Sequence, residues 1–183
     1  MSPPIRNDAV TSLARSTLIL GGARSGKSLF AENMFEQYEQ KTYLATALAR
    51  DNEMKKRIQI HQARRNSKWK TVEESIDIAN VISSHSKKNC PILIDCLTFW
   101  AMNLLSNGCN HKKEVKRLLD TLQESAGPVV LVSNEIGLGV IPENELSRRF
   151  VDLQGEINQA VAQASDCVIL VAAGLPIMMK PNE

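Results

Sequence analysis

The sequence predicts an α/β fold, a mostly parallel sheet with helices on both faces. Three observations predict it. Short apolar runs alternate along the chain with stretches of helical period, the pattern of repeated strand–helix units. The first clear run, Thr17-Leu18-Ile19-Leu20, leads into Gly21-Gly22-Ala23-Arg24-Ser25-Gly26-Lys27-Ser28. That octapeptide fills every fixed position of the P-loop pattern. A later run, Pro91-Ile92-Leu93-Ile94, ends on Asp95, a carboxylate delivered by an apolar strand as in the Walker B form.

Taken in order, each element has its own justification. Residues 17–20 are a buried strand, and the glycines after it let backbone N–H groups approach phosphate oxygens. Residues 28–40 set Leu29, Met34 and Phe35 among polar neighbours, a surface helix. Residues 42–46 read as the second strand and 47–50 as its loop. Residues 51–65 are a charged helix, with Asp51 as N-cap and Glu53 in the first turn. Residues 69–73 are a short strand or extended segment, 74–86 a helix on Ile76, Ile78, Ala79 and Ile82, and 91–95 a buried strand. Residues 98–105 and 112–124 read as helices separated at Ser106-Asn107-Gly108. Residues 129–132 are the next strand, followed by Ser133-Asn134-Glu135. Pro142 is expected to open a helix that carries Leu146, Phe150, Leu153, Ile157 and Val161 as its core stripe. Residues 167–171 are a last clear strand, and 174–179 suit a short terminal one.

Composition bounds the rest. With 183 residues, 43% of them hydrophobic, the chain can close one sizeable core. The expected organisation is a loose polar extension over 1–16 and a single nucleotide-binding domain over 17–183. A net charge of +2 argues neither for nucleic acid nor for a membrane surface. No apolar run approaches the ~20 residues of a membrane span. Cys90, Cys96, Cys109 and Cys167 form no CxxC pair, which fits a reduced, cytoplasmic protein, with Cys96 and Cys167 as core residues.

The chemistry collects at strand ends, where ligands bind in such sheets. Lys27 is expected to reach the β- and γ-phosphates, with Ser28 and Asp95 offering oxygens to Mg²⁺. On the charged helix, Arg57, His61 and Arg65 recur every fourth residue, and Arg64 lies three from His61. This spacing alone leaves two readings of His61: an ordinary histidine on a solvated basic face, or a reactive group within an arginine cluster. His85 and His111 sit in polar, loop-like contexts and read as surface residues. Three functions remain open on this basis: a small-molecule kinase, a nucleotide-dependent switch, or a nucleic-acid binder through Arg64, Arg65, Lys68 and Lys70. The last has no aromatic platform beyond Trp69.

Several stretches together resemble one family, the bifunctional adenosylcobinamide kinase/adenosylcobinamide-phosphate guanylyltransferases of cobalamin biosynthesis. They are the P-loop itself, Tyr43-Leu44-Ala45-Thr46-Ala47, Asp51-Asn52-Glu53-Met54, Arg57-Ile58 with His61, and Trp69-Lys70-Thr71-Val72-Glu73. Further along come Asp95-Cys96-Leu97-Thr98, Asn103-Leu104-Leu105, and the long run from Ser133-Asn134-Glu135 through Pro142-Glu143-Asn144. The resemblance implies a RecA-like sheet, a homotrimer, ATP or GTP as phosphoryl donor and GTP as GMP donor. It implies phosphorylation of adenosylcobinamide, then GMP transfer to adenosylcobinamide phosphate through a GMP–histidine, with His61 as that histidine. Nucleotide contacts carry over to Gly21, Gly22, Ala23, Arg24, Ser25, Gly26, Lys27 and Ser28, to Ala45, Thr46 and Ala47, to Gln62, Ala63, Arg64 and Arg65, and to Glu73 and Asp95. Asn66-Ser67-Lys68 stands where the family commonly has a Pro-containing segment.

Overall fold

The computed structural model describes residues 13–49, 51–63 and 65–181, apart from the side chain of Arg57. Its strands are β1 (Ser16–Gly21), β2 (Lys41–Ala45), β3 (Trp69–Glu73), β4 (Ile92–Asp95), β5 (Val129–Asn134), β6 (Cys167–Ala172) and β7 (Leu175–Lys180). Its helices are α1 (Lys27–Asn33), α2 (Asn52–Ala63), α3 (Ile78–His85), α4 (Leu97–Ser106), α5 (His111–Glu124) and α6 (Glu145–Ala164). The strands form one sheet in the order β3-β2-β4-β5-β1-β6-β7. All neighbours are parallel except β7, which returns antiparallel along β6.

Side chains alternate across the sheet, and so divide the core in two. Leu18, Leu44, Ile92, Ile94, Val129, Leu131 and Val168 face α3, α4, α5 and α6, where Trp100, Leu104, Leu118, Leu122, Ile157 and Val161 cover them. Ile19, Tyr43, Leu93, Val130, Val132 and Ile169 face the other way, onto Phe30, Ala31, Met34 and Phe35. Leu13 and Ala14 are buried in this second layer. Residues 1–12 of the expected extension lie outside the described residues, while Leu13 and Ala14, within its expected bounds, pack in the core.

Several boundaries differ from expectation, each for a local reason. The helix over 28–40 stops at Asn33 because three-residue-spaced bonds take over, Phe35 N–H to Glu32 O at 3.1 Å and Glu36 N–H to Asn33 O at 3.2 Å. This tightening drives Phe35 into the core against Trp69, with ring centroids 5.1 Å apart. The helix over 74–86 begins only at Ile78: Glu74 Oε1 accepts from Ile76 N–H and Asp77 N–H, and Asp77 is the N-cap. Pro142 does not open α6; Asn144 does, its Oδ1 accepting Ser147 N–H at 2.7 Å. His85 and His111 lie at helix ends, half-buried, instead of in loops.

Candidate active site

The parallel strands end together on one edge of the sheet. Parity decides what each presents there. Ala45 shares the side of Tyr43, Asp95 that of Leu93, and Asn134 that of Val130 and Val132, so all four side chains from Tyr43 to Asn134 rise on the α1 face. That face opens into a cleft of about 580 Å³.

The P-loop forms the floor. Gly21 ends β1 against β5, and a Cβ there would stand 2.5 Å from both Ser25 Oγ and Val171 O. Gly26 is the N-cap of α1 at φ 94°, a conformation that suits glycine alone. The turn between β6 and β7 braces the loop from below, Gly174 N–H donating to Ser25 O at 2.9 Å. Lys27 is buried and donates through Nζ to Gly22 O at 3.1 Å. Burial lowers its pKa, and the neighbouring Asp95 carboxylate partly offsets this.

The far wall is α2. Asp51 Oδ1 accepts Met54 N–H at 2.7 Å, the capping contact expected of it. Met54, Ile58 and His61 line the cleft along one stripe of the helix, followed by Gln62 and Arg65. Arg65 sets its guanidinium over the Tyr43 ring, Cζ 3.5 Å from the centroid. Tyr43 in turn donates its hydroxyl to Asp95 Oδ2 at 3.0 Å. Burial, reinforced by the Asp95 charge, pushes the Tyr43 pKa far up, so the phenol stays a donor. The segment after α2 is closed by Asn66, whose Oδ1 accepts Lys68 N–H at 3.1 Å, a turn that supplies order in place of proline.

Of the residues expected at the site, Ala23, Arg24, Ser25, Gly26, Lys27, Ser28, Ala45, Ala47, His61, Gln62, Arg65, Glu73 and Asp95 line this cleft. Gly21 and Gly22 shape the floor without lining it. Ala63 is exposed and outside the lining. Thr46 is turned away: its hydroxyl donates to Cys96 O at 2.7 Å and accepts Cys96 N–H at 2.8 Å. Arg64 and the Arg57 side chain lie outside the described residues. Tyr43, Met54, Ile58, Phe99 and Asn134 also line the cleft and are not among the site residues the sequence predicts. Strand parity with Ala45 and Asp95 was a signal for Tyr43, and helical spacing from His61 for Met54 and Ile58.

Three buried polar atoms around the cleft have no hydrogen-bond partner among the described residues: Ser25 Oγ, Arg65 Nη1 and Asn134 Oδ1. Such atoms suit a polar ligand. The main chain of Asn134 is pinned from both sides, N–H to Thr98 Oγ1 at 2.8 Å and C=O from Asn158 Nδ2 at 3.1 Å. A buried web of Ser133, Gln154 and Asn158 lies behind it. Among the described residues no three His, Cys, Asp or Glu side chains gather as a metal cage. One hydroxyl and one carboxylate beside a phosphate cradle are instead the sparse donor set that Mg²⁺ takes with triphosphates.

Comparison with known proteins shows what the chain is similar to. The family model described as cobinamide kinase / cobinamide phosphate guanyltransferase matches residues 17–179. A bifunctional adenosylcobalamin biosynthesis protein of Pseudomonas aeruginosa is 46% identical over 166 residues, covering 89% of this chain and 96% of that protein. Its Salmonella typhimurium counterpart is 36% identical over 178 residues, covering 89% and 98%. Among solved structures, a type III secretion ATPase superposes with TM-score 0.57 at 12% identity, over 86% of this chain and 51% of that one. The RadB recombinase gives 0.51 at 16% identity, over 86% and 74%. At such identities the likeness concerns the fold, that of the P-loop NTPases with a RecA-like sheet.

Proposed function

The chain belongs to the cobinamide kinase / cobinamide phosphate guanyltransferase family, and we propose that it runs both reactions of that family in the single cleft described above. In the first, the γ-phosphoryl group of ATP or GTP passes to the hydroxyl of adenosylcobinamide. In the second, GMP from GTP passes to adenosylcobinamide phosphate, giving adenosyl-GDP-cobinamide and pyrophosphate. The observation that carries the proposal is the sharing of one cleft by Lys27, Asp95 and His61.

The P-loop amides and Lys27 hold the triphosphate, with Lys27 leaving Gly22 O for the phosphate oxygens. Ser28 and Asp95 are the residues that would hold Mg²⁺. That ion would supply positive charge to offset the charge on the phosphates. For the kinase step, positioning and charge neutralisation suffice, because the hydroxyl attacks the γ-phosphorus directly. For guanylyl transfer, a neutral imidazole nitrogen of His61 attacks the α-phosphorus. A P–N bond forms and the bond to pyrophosphate breaks. A phosphate oxygen of adenosylcobinamide phosphate then attacks the same phosphorus, and the P–N bond breaks to regenerate His61. Arg65, with one guanidinium nitrogen unpartnered, is placed to stabilise charge on the α-phosphate.

The assembly proposed is a homotrimer. Its support is family membership, together with exposed apolar side chains on β7 (Leu175, Ile177, Met178, Met179) and on the loop between β5 and α6 (Leu138, Val140, Ile141). Light scattering on the purified protein tests it. A cytoplasmic location is proposed on the four free cysteines; among the described residues no helix is long and apolar enough to cross a membrane.

Double labelling tests the function. Label from γ-labelled nucleotide should appear in adenosylcobinamide phosphate. Label from α-labelled GTP should first stay on the protein and then move to adenosyl-GDP-cobinamide. An α-phosphate released only as free nucleotide would reduce the protein to a P-loop kinase.

A further inference from the structure

We propose that Tyr43 is the positioning residue that joins the two chemistries, its hydroxyl orienting the Asp95 carboxylate while its ring face seats Arg65 and, through it, the end of the helix that carries His61. The inference rests on the proposed roles of Asp95 and His61. Tyr43 stands on β2 between β3 and β4, opposite Thr71 and Leu93. It is buried at 4% exposure although its hydroxyl reaches a cleft wall. The 3.0 Å bond to Asp95 Oδ2 commits one carboxylate oxygen to the phenol and stops the group from turning, leaving the other for the metal. Hydrogen-bonded partners of metal-binding carboxylates fix orientation in this way.

The ring itself cannot swing aside. Trp69 meets it edge-on with centroids 6.1 Å apart at 82°, and Trp69 is held by Phe35 on β2's own layer and by Lys41 Nζ at 5.0 Å. Arg65, four residues past His61, donates its N–H to Gln62 O at 3.1 Å, so a guanidinium seated on Tyr43 holds the C-terminal turn of α2. Among the described residues, no side chain of α2 belongs to either core layer. The stack on Tyr43 ties the segment that follows this helix to the sheet.

Tyr43→Phe, Tyr43→Leu and Arg65→Lys separate the two ties. One readout is binding of Mn²⁺ with GTP, followed by loss of the free Mn²⁺ paramagnetic signal. The other is formation of the GMP–protein adduct from α-labelled GTP at saturating Mg²⁺. Tyr43→Phe keeps the ring; it should weaken Mn²⁺ binding about tenfold and form the adduct near the parent rate. Tyr43→Leu should lose both functions, with adduct formation down about tenfold. Arg65→Lys keeps the charge and gives up the guanidinium's contact with the ring; it should slow the adduct like Tyr43→Leu. If Tyr43→Phe binds Mn²⁺ as the parent does, or lowers only the melting temperature, the orienting role is overturned. If Tyr43→Leu forms the adduct at the parent rate, the seating role is overturned. Asp95→Asn and His61→Ala are run beside them. Unchanged Mn²⁺ binding in the first or an unchanged adduct in the second would overturn the site reading itself, and the Tyr43 proposal with it.

Discussion

The two walls of the cleft are built differently. The P-loop wall is an outgrowth of the core: β1 is buried along its whole length, Gly21 is wedged against Val171 and Ser25, and the β6–β7 turn bonds the loop from below. The α2 wall rests on a few half-buried side chains, Met54, Ile58, His61 and Arg65, and Ile60 on it stays 55% exposed. With the proposed roles of Lys27 and His61, the difference teaches how one small domain could hold a triphosphate rigidly and still offer a nucleophile to only one of its two reactions. Phosphate binding needs preorganised donors. A histidine that must meet the α-phosphorus in one reaction and stay clear in the other sits better on an element with little burial, which opens at low cost.

The comparison can be broken at either wall. Lys27→Ala removes the cation that both reactions use, so both should fall ~100-fold or more. Steady-state rates with each labelled substrate check this, and loss of only one activity would mean that the two triphosphates do not share the cradle. Gly21→Ala forces a Cβ within 2.5 Å of Val171 O; an overpacked site of this kind costs ~1–3 kcal/mol, seen as a lower denaturant midpoint together with weaker nucleotide binding. Asp95→Asn should reduce Mg²⁺-dependent turnover ~10-fold, with a smaller effect on thermal stability. A melting temperature that collapses while the Mg²⁺ dependence stays put would make Asp95 a structural residue. Ile58→Ala, on the lightly packed wall, should shift the melting temperature by no more than ~2 °C. It should slow adduct formation several-fold and leave the kinase rate unchanged.

Much of the P-loop wall was legible in the sequence, because its chemistry and its fold coincide locally. Gly21 to Ser28 carry both the turn and the ligands in consecutive residues, and Asp95 terminates an uninterrupted apolar run. The α2 wall was legible only in part. His61 stands out once the family resemblance is recognised, yet spacing alone leaves it as ordinary as any histidine among arginines. What joins the walls depends on strand order, which no local pattern encodes. Tyr43 meets Asp95 because β2 lies beside β4, and the pair is 52 residues apart in the chain. Thr46, within the same Tyr43-to-Ala47 stretch, turns away because alternation sends it to the opposite face, where Cys96 takes its hydroxyl. The end of α1 at Asn33 was equally hidden, since it follows from Phe35 reaching a tryptophan on another strand.

The division of labour between the walls is tested most directly by one variant in one experiment. His61→Ala is incubated with α-labelled GTP, and its kinase rate is measured on the same preparation. The parent protein should acquire a label that is stable in alkali and lost in acid, as a phosphorus–nitrogen bond requires. The variant should acquire none and transfer no GMP, while phosphorylating adenosylcobinamide at close to the parent rate, because transfer of a γ-phosphoryl group to a hydroxyl needs no histidine nucleophile. A variant that still transfers GMP at the parent rate would contradict the account.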